Sequence, residues 1–505
     1  MRKLKLFIIN SIILTSSSFL IRTIGMYYNV YISNKIGAEA VGLFQIVMSV
    51  YLFAITLASS GINLASTKIV TEEITKSNEI GAKIALKKCI IFSLILSIIS
   101  GLLLSFLAIP IAKYVLHGKV SHVCFYIIAL GLPFISMSSA INGYFAAVRK
   151  VVKTSISQIF EQIIKIIATI YLLFVFPTTI EHACLALVIG DVISELFSFS
   201  LIYILCKYDT RKNLKLKANT DKKGYTKRIF QIAIPIALTS YIRSFLSTVK
   251  QVIIPIRLEK SGMSCSESLS KYGIINGMVL PALLFPNVLI TTFSSLLITE
   301  FTYYYTKKDF KNIKNYTNRI LKLCSVFSVG IMGIFFSFSS ELSLIIYKNL
   351  ECATYFKILS PLIILIYVDI IVDGLLKGLD RQVDVMKCNI IDLVTSIICI
   401  YILLPIFGVN GYVIVLFISE FLNASISIYV LIKATKIKFD FMNFLIKPFI
   451  GIYICRFITN TLFLNITYKL ESDIVKLIIS ISTFLVLYIA FIFATKCLRK
   501  NDIKI

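Results

Sequence analysis

The chain has 505 residues, of which 57% are hydrophobic and only 15% charged, with a formal net charge of +26. A soluble chain carries roughly a quarter of its residues as charges, so this composition, with a mean hydropathy of +0.87, excludes that class and points to an all-α polytopic membrane protein. The positive charge does not mark a nucleic-acid binder, because the 52 Lys and Arg residues concentrate on alternate loops between apolar runs, as membrane sidedness dictates.

In chain order, Arg2, Lys3 and Lys5 precede an apolar run that continues past Arg22 to Tyr31 without a small-residue cleavage site. This start is expected to be an uncleaved first span, not a signal peptide. The first half then offers spans at about 6–33, 40–66, 89–112, 122–147, 155–176 and 182–206. A linker at 207–228 follows, with nine Lys or Arg residues that suit anionic headgroups. The second half offers spans at about 229–256, 271–304, 316–338, 352–376, 386–406 and 412–432, and two more follow at 442–464 and 473–495. The expected organisation is a six-helix lobe over 1–206, the cytoplasmic linker 207–228, a second six-helix lobe over 229–433, and two further helices with a tail over 434–505. The alternation of charge places both termini in the cytoplasm of a multi-pass cell-membrane protein.

The halves repeat one another. Asn142-Gly143-Tyr144-Phe145, Arg149-Lys150 and Glu161 reappear as Asp373-Gly374-Leu375-Leu376, Asp380-Arg381 and Asp392, with Gly143 and Glu161 both displaced by 231 residues. Ile193-Ser194-Glu195 reappears as Ile418-Ser419-Glu420 at an offset of 225. Gly42-Leu43-Phe44-Gln45 is echoed by Gly273-Ile274-Ile275-Asn276, and Ile69-Val70-Thr71-Glu72 by Leu297-Ile298-Thr299-Glu300. A period this long suits a two-lobed transporter rather than a solenoid. Six spans per half keep the two halves in the same sense across the membrane, with substrate sites between them near the midplane.

Chemistry-bearing motifs are otherwise sparse. The eleven cysteines include no C-x-x-C pair, and His117, His122 and His182 form no ligand pattern. A Gly-rich phosphate loop and a G-x-S-x-G elbow are also missing from the sequence, so neither a catalytic residue, a metal nor a cofactor is expected.

The informative residues are charges inside spans. Phe19-Leu20-Ile21-Arg22 aligns with Ser240-Tyr241-Ile242-Arg243, and both arginines fall near mid-span, with Lys250 two turns beyond Arg243. A cation at that depth must face water or a partner, which makes Arg22, Arg243 and Lys250 candidate substrate-binding residues. Glu161 precedes Lys165 by four residues, the order that favours a helical ion pair, and with Asp392 it is read as a structural carboxylate near the inner ends. Asp191, Glu195 and Glu420 lie deeper, where a coupling proton or cation relay is the competing role, and Asp369 and Asp373 are similar.

Ile24-Gly25 through Gly37-Ala38-Glu39-Ala40-Val41-Gly42-Leu43-Phe44-Gln45 resembles the first two helices of the stage V sporulation protein B family. Tyr272-Gly273 through Gly277-Met278, with Leu280-Pro281 and Phe285-Pro286, resembles the eighth helix of that family, and the likeness spans essentially the whole chain. The family is part of the multidrug/oligosaccharidyl-lipid/polysaccharide exporter superfamily. The resemblance implies a V-shaped two-lobed bundle, alternating access, and movement of undecaprenyl-linked cell-wall precursors for the spore cortex. Related peptidoglycan-lipid flippases carry an Arg-Asp pair where this chain has Tyr28 and Asn29, and an arginine in the eighth helix where it has Asn276. The resemblance therefore implies a less basic cavity, with Asn29 and Asn276 at substrate-binding positions.

The expected function is a flippase for an isoprenoid-pyrophosphate-linked saccharide, with the bilayer, the undecaprenyl-linked lipid, a coupling cation or proton, and wall-synthesis proteins as partners. A cation-coupled multidrug antiporter is the alternative that Glu195 and Glu420 keep open. An enzyme acting on lipid-linked sugar fits poorly, since the external loops are short.

Overall fold

The computed structural model describes residues 2–116, 118–177, 179–213, 224–437, 442–466, 472–495 and 497–498. His117 and the centre of the basic linker, 214–223, lie outside the described residues. The described chain is helical from end to end, without a strand. Its helices are α1 (Arg2–Ser59), α2 (Ile62–Thr75), α3 (Glu79–Pro110), α4 (Val123–Ala147), α5 (Val151–Val175), α6 (Ile180–Asn213) and α7 (Tyr225–Glu259). They continue as α8 (Cys265–Tyr272), α9 (Leu280–Leu283), α10 (Asn287–Thr306), α11 (Phe310–Ser337), α12 (Ser339–Tyr347), α13 (Glu351–Leu359) and α14 (Leu362–Gly378). The last three are α15 (Gln382–Thr435), α16 (Lys447–Ile466) and α17 (Asp473–Ala494).

Among the described residues nine helices are long and apolar enough to cross a membrane, or eleven when two bent pairs each count as one span. The bent pairs are Cys265–Leu283 with Asn287–Thr306, at 59°, and Glu351–Leu359 with Leu362–Gly378, at 50°. Two helices are too long for a single crossing. At about 1.5 Å per residue, α1 (58 residues) and α15 (54 residues) each exceed twice the hydrocarbon thickness. Each is broken by a glycine with non-helical geometry, Gly37 (φ 81°, ψ 169°) in α1 and Gly408 (φ 55°, ψ −132°) in α15. With these breaks, and with α16 at the place of the expected thirteenth span, the helices are compatible with fourteen crossings. Large apolar side chains lie bare on the outer faces, with Phe106 83% and Phe174 87% exposed, as a lipid-facing surface requires.

Two compact packing units emerge. One comprises Met1–Ile256 with Ser264–Gly273, the other Arg257–Met263 with Ile274–Ile505. The packing boundary therefore falls later than the repeat boundary expected near residue 228. Most of α7 and all of α8 pack with the N-terminal half, for reasons visible in their contacts. The Phe230 ring meets Phe92 edge-on at 4.8 Å, Tyr241 donates to the Leu57 carbonyl at 3.0 Å, and Thr248 to that of Ser49 at 3.0 Å. Arg228 pairs with Glu72 near the C-terminal end of α2.

The repeat is visible in packing as well as sequence. In the first unit Ser66 on α2 donates to the Ala140 carbonyl at 2.8 Å, and a methyl on Gly143 would strike the Asn63 carbonyl and Ser66. In the second unit Ser294 on α10 donates to the Ile370 carbonyl at 2.9 Å, and a methyl on Gly374 would strike Ser294. Small residues and serine hydroxyls let helix backbones approach where no water drives packing. Within the first unit a second repeat-related pair touches directly. A Cβ on Gly42 would collide with the carbonyl of Leu269, and one on Gly273 with that of Ala38. Gly42 and Gly273, like Ala38 and Leu269, are 231 residues apart, so the contact is reciprocal under the repeat.

Candidate functional site

In the first unit the polar side chains line up because helical spacing puts them on facing stripes. α5 presents Glu161, Lys165 and Thr169 at successive turns, and α6 presents Asp191, Glu195 and Ser198 likewise. Lys165 Nζ lies 2.5 Å from Asp191 Oδ1, with Asp191 buried and Lys165 half-buried. One turn along, Ser198 donates to Glu161 Oε2 at 3.0 Å, and the Ser157 and Ser198 hydroxyls are 3.0 Å apart. α1 closes the cluster. Tyr28 donates to Thr169 Oγ1 at 3.0 Å, and its ring sits 5.5 Å from the Lys165 ammonium. Beside it the Asn29 carbonyl oxygen is buried without a hydrogen-bond partner among the described residues.

The expected Glu161–Lys165 pair is thus replaced by Lys165–Asp191. A lysine reaching across to a deeper carboxylate satisfies a buried charge more fully than one lying along its own helix surface. Glu195 is half-buried and makes neither a hydrogen bond nor an ion pair among the described residues. Three carboxyl groups thus share this cluster with one ammonium.

The second unit arranges its carboxylates differently. Asp369 and Asp373 lie one turn apart on α14, and Asn423 of α15 donates to Asp369 Oδ2 at 2.9 Å. Asp392 Oδ1 accepts from Ser419 at 2.5 Å, and Ser396 donates to Ser419 at 2.8 Å. Lys377 reaches Asp373 at 3.6 Å from an exposed position at the end of α14. Glu420 follows Ser419 on α15. Asn276, in a π-helical turn over Gly273–Val279, exchanges hydrogen bonds with the Tyr412 hydroxyl at 2.7 and 2.9 Å. Such turns often accompany functional positions, since they re-aim side chains.

The two arginines stand apart from these networks. Arg22 on α1 and Arg243 on α7 are exposed, and neither makes a hydrogen bond or ion pair among the described residues. Arg243 is central in its helix, some 25 Å from either end at 1.5 Å per residue. Lys250, seven residues on, is half-buried. A guanidinium at that depth is costly against hydrocarbon, so these side chains fit a water-filled space or an anionic ligand.

Sequence reasoning missed one further charged node. Near the C-terminal end of α6 the buried Asp209 accepts from Tyr144 at 2.9 Å and from Lys150 and Lys153 at 2.7 Å each. An aspartate amid the nine basic residues of the stretch 207–228 was the available signal. The node fastens α4, α5 and α6 beside the linker. No group of three or more His, Cys, Asp or Glu side chains suited to a metal ion occurs among the described residues.

Comparison with known proteins matches residues 7–298 to the family described as polysaccharide biosynthesis protein. Stage V sporulation protein B of Bacillus subtilis is 22% identical over 99% of this chain and 97% of its own length. Lipid II flippase MurJ of the same organism is 24% identical over 61% of this chain and 60% of its own. Among solved structures, lipid II flippase MurJ in an inward closed conformation superposes with a TM-score of 0.68 at 14% identity, covering 96% of this chain and all of that one. The fold is therefore that of a MurJ-like membrane transporter.

Proposed function

This chain belongs to the polysaccharide biosynthesis protein family, and from that premise we propose that it is a flippase rather than an enzyme, moving an isoprenoid-pyrophosphate-linked saccharide across the cell membrane by alternating access. The full-length likeness to a sporulation protein favours a wall precursor destined for the spore cortex. Both termini lie in the cytoplasm in this reading. A coupling cation or proton and wall-synthesis proteins are its proposed partners.

The observation that carries the reading is the pair of mid-span arginines, exposed and without ion-pair partners among the described residues. A pyrophosphate cannot enter hydrocarbon unaided, whereas its isoprenoid tail remains there at no cost. Arg22 and Arg243 supply planar, permanently charged forks that meet phosphate oxygens through two hydrogen bonds each. Lys250 would take the head group onward for release, and Asn29 and Asn276 would contribute neutral contacts. The carboxylates have their own work, with Asp191, Glu161 and Asp392 held by the protein's own donors and Glu195 and Glu420 the candidates for coupling.

Alanine at either arginine is expected to weaken head-group binding by a few kcal/mol, and lysine by less, because charge is kept while the fork is lost. The double alanine variant should reach normal membrane abundance yet fail to complement a strain lacking the transporter, with lipid-linked precursor accumulating on the inner leaflet. Full complementation at normal abundance removes the arginines from the site. Resistance to organic cations that depends on Glu195 would instead select the antiporter.

A further inference from the structure

Between α3 and α6, at the end of the first unit nearest the basic linker, lies a groove of about 560 Å³. Its lining is graded along the two helices. Lys83 and Lys87 stand one turn apart on α3, and Lys207 faces them from α6. All three are exposed and make no ion pair among the described residues. One turn beyond Lys87 and Lys207 the walls become apolar, with Ile90 and Ile91 on α3 and the exposed ring of Tyr203 on α6. Glu79, at the first turn of α3, is the one carboxylate in the lining. Three ammonium groups against one carboxylate leave the mouth cationic.

We propose that this groove is a site for an anionic phospholipid of the leaflet that meets the basic linker. The vertical order of the lining carries the assignment. A phospholipid presents a phosphate at the interface and acyl carbons about one helical turn below, and the groove presents ammonium groups and then isoleucines over that same distance. Long lysine stems lie along apolar walls while their heads reach phosphate, and an interfacial tyrosine is at home at the boundary between them. A soluble phosphate would use the mouth alone and leave the apolar floor without an occupant. The site is independent of the transport path and rests only on immersion of the chain in a bilayer.

The test is native mass spectrometry of the full chain, titrated with phosphatidylglycerol and with phosphatidylcholine. The intact protein should retain phosphatidylglycerol in preference to phosphatidylcholine. Lys83→Gln/Lys87→Gln/Lys207→Gln should lower that preference by more than about tenfold, each lysine near a membrane surface being worth roughly fivefold. The triple arginine variant should keep the preference. Lys88→Gln is the control, since Lys88 is exposed on the same helix but outside the groove. An equal loss with Lys88→Gln, an unchanged preference in the triple glutamine variant, or displacement of the lipid by millimolar inorganic phosphate would each overturn the proposal. Thermal melting of every variant in detergent separates lost binding from lost folding, and Ile91→Ser, which keeps all three charges, should also weaken retention.

Discussion

The two repeats place polar groups at matching positions but satisfy them by different means. Lys165 in the first repeat corresponds to Ser396 in the second, at the same offset of 231 that relates Glu161 to Asp392. Where the first repeat balances a buried aspartate with an ammonium at 2.5 Å, the second uses a chain of serine hydroxyls, Ser396 to Ser419 to Asp392. A buried ion pair is expensive to half-remove, because the surviving partner keeps a charge with no compensation. A hydroxyl chain is cheap to trim. The first repeat is therefore the more rigidly specified of the two, and its polar cluster the more vulnerable to single substitutions.

The largest expected contrast follows directly. Lys165→Met should cost about 3–5 kcal/mol, because it strands Asp191 in the bundle. Ser396→Ala at the matching position should cost about 1 kcal/mol. Thermal unfolding in detergent, read by fluorescence-detected gel filtration, gives both values. Adding Asp191→Leu to Lys165→Met should recover most of the loss, and strictly additive penalties would show that the pair is not coupled.

Next in size is the pair of glycines under the repeat-related serines. Gly143→Ala drives a methyl toward a backbone carbonyl that cannot turn away, at about 1–3 kcal/mol. Gly374→Ala meets first the Ser294 hydroxyl, which can rotate, so its penalty should be smaller. Gly25→Ala, with nothing within 4 Å, is the silent control. Equal penalties at Gly143 and Gly374 would show that both helix pairs are equally close.

The smallest effect tests where the repeats should agree. Ser198→Ala and Ser419→Ala each remove the hydroxyl donor to a repeat-related carboxylate, Glu161 or Asp392. Each should lower stability by about 1 kcal/mol in the same melting assay, within a few tenths of the other. A much larger loss at one of them would show that its carboxylate depends on that donor alone.

The parts of this architecture legible in the sequence are those written in local periodicity. Apolar runs need only one chain position and its neighbours, and the recurrence of Gly143 at Gly374 needs only a comparison of two such stretches. The partner of Lys165 was not legible, because Glu161 satisfies the i,i+4 rule on α5 while Asp191 is presented by α6, and only the register between helices chooses between them. Tyr28 reaching Thr169 is hidden for the same reason, being 141 residues distant in sequence. The grouping of α7 with the first unit also escapes a repeat-based reading, since duplication marks ancestry whereas packing follows contacts such as Phe92 with Phe230. The arginines were legible as costly charges at depth. Their exposure was not, because composition does not say which side of a helix meets water.

The meeting of Gly42 with Gly273 bears on how such a chain arises. In an ancestor one repeat long, a single glycine would have faced its own image in a second copy, on the symmetry axis of a homodimer. Any larger residue there would have been introduced on both sides at once, doubling the clash. Fusion of two gene copies relaxes that condition, because one side can change while the other compensates. Yet with the Leu269 carbonyl against one glycine and the Ala38 carbonyl against the other, neither side has room to give. Lys165 and Ser396 differ at matching positions of the repeat, whereas Gly42 and Gly273 agree where the stereochemistry leaves no room for a side chain.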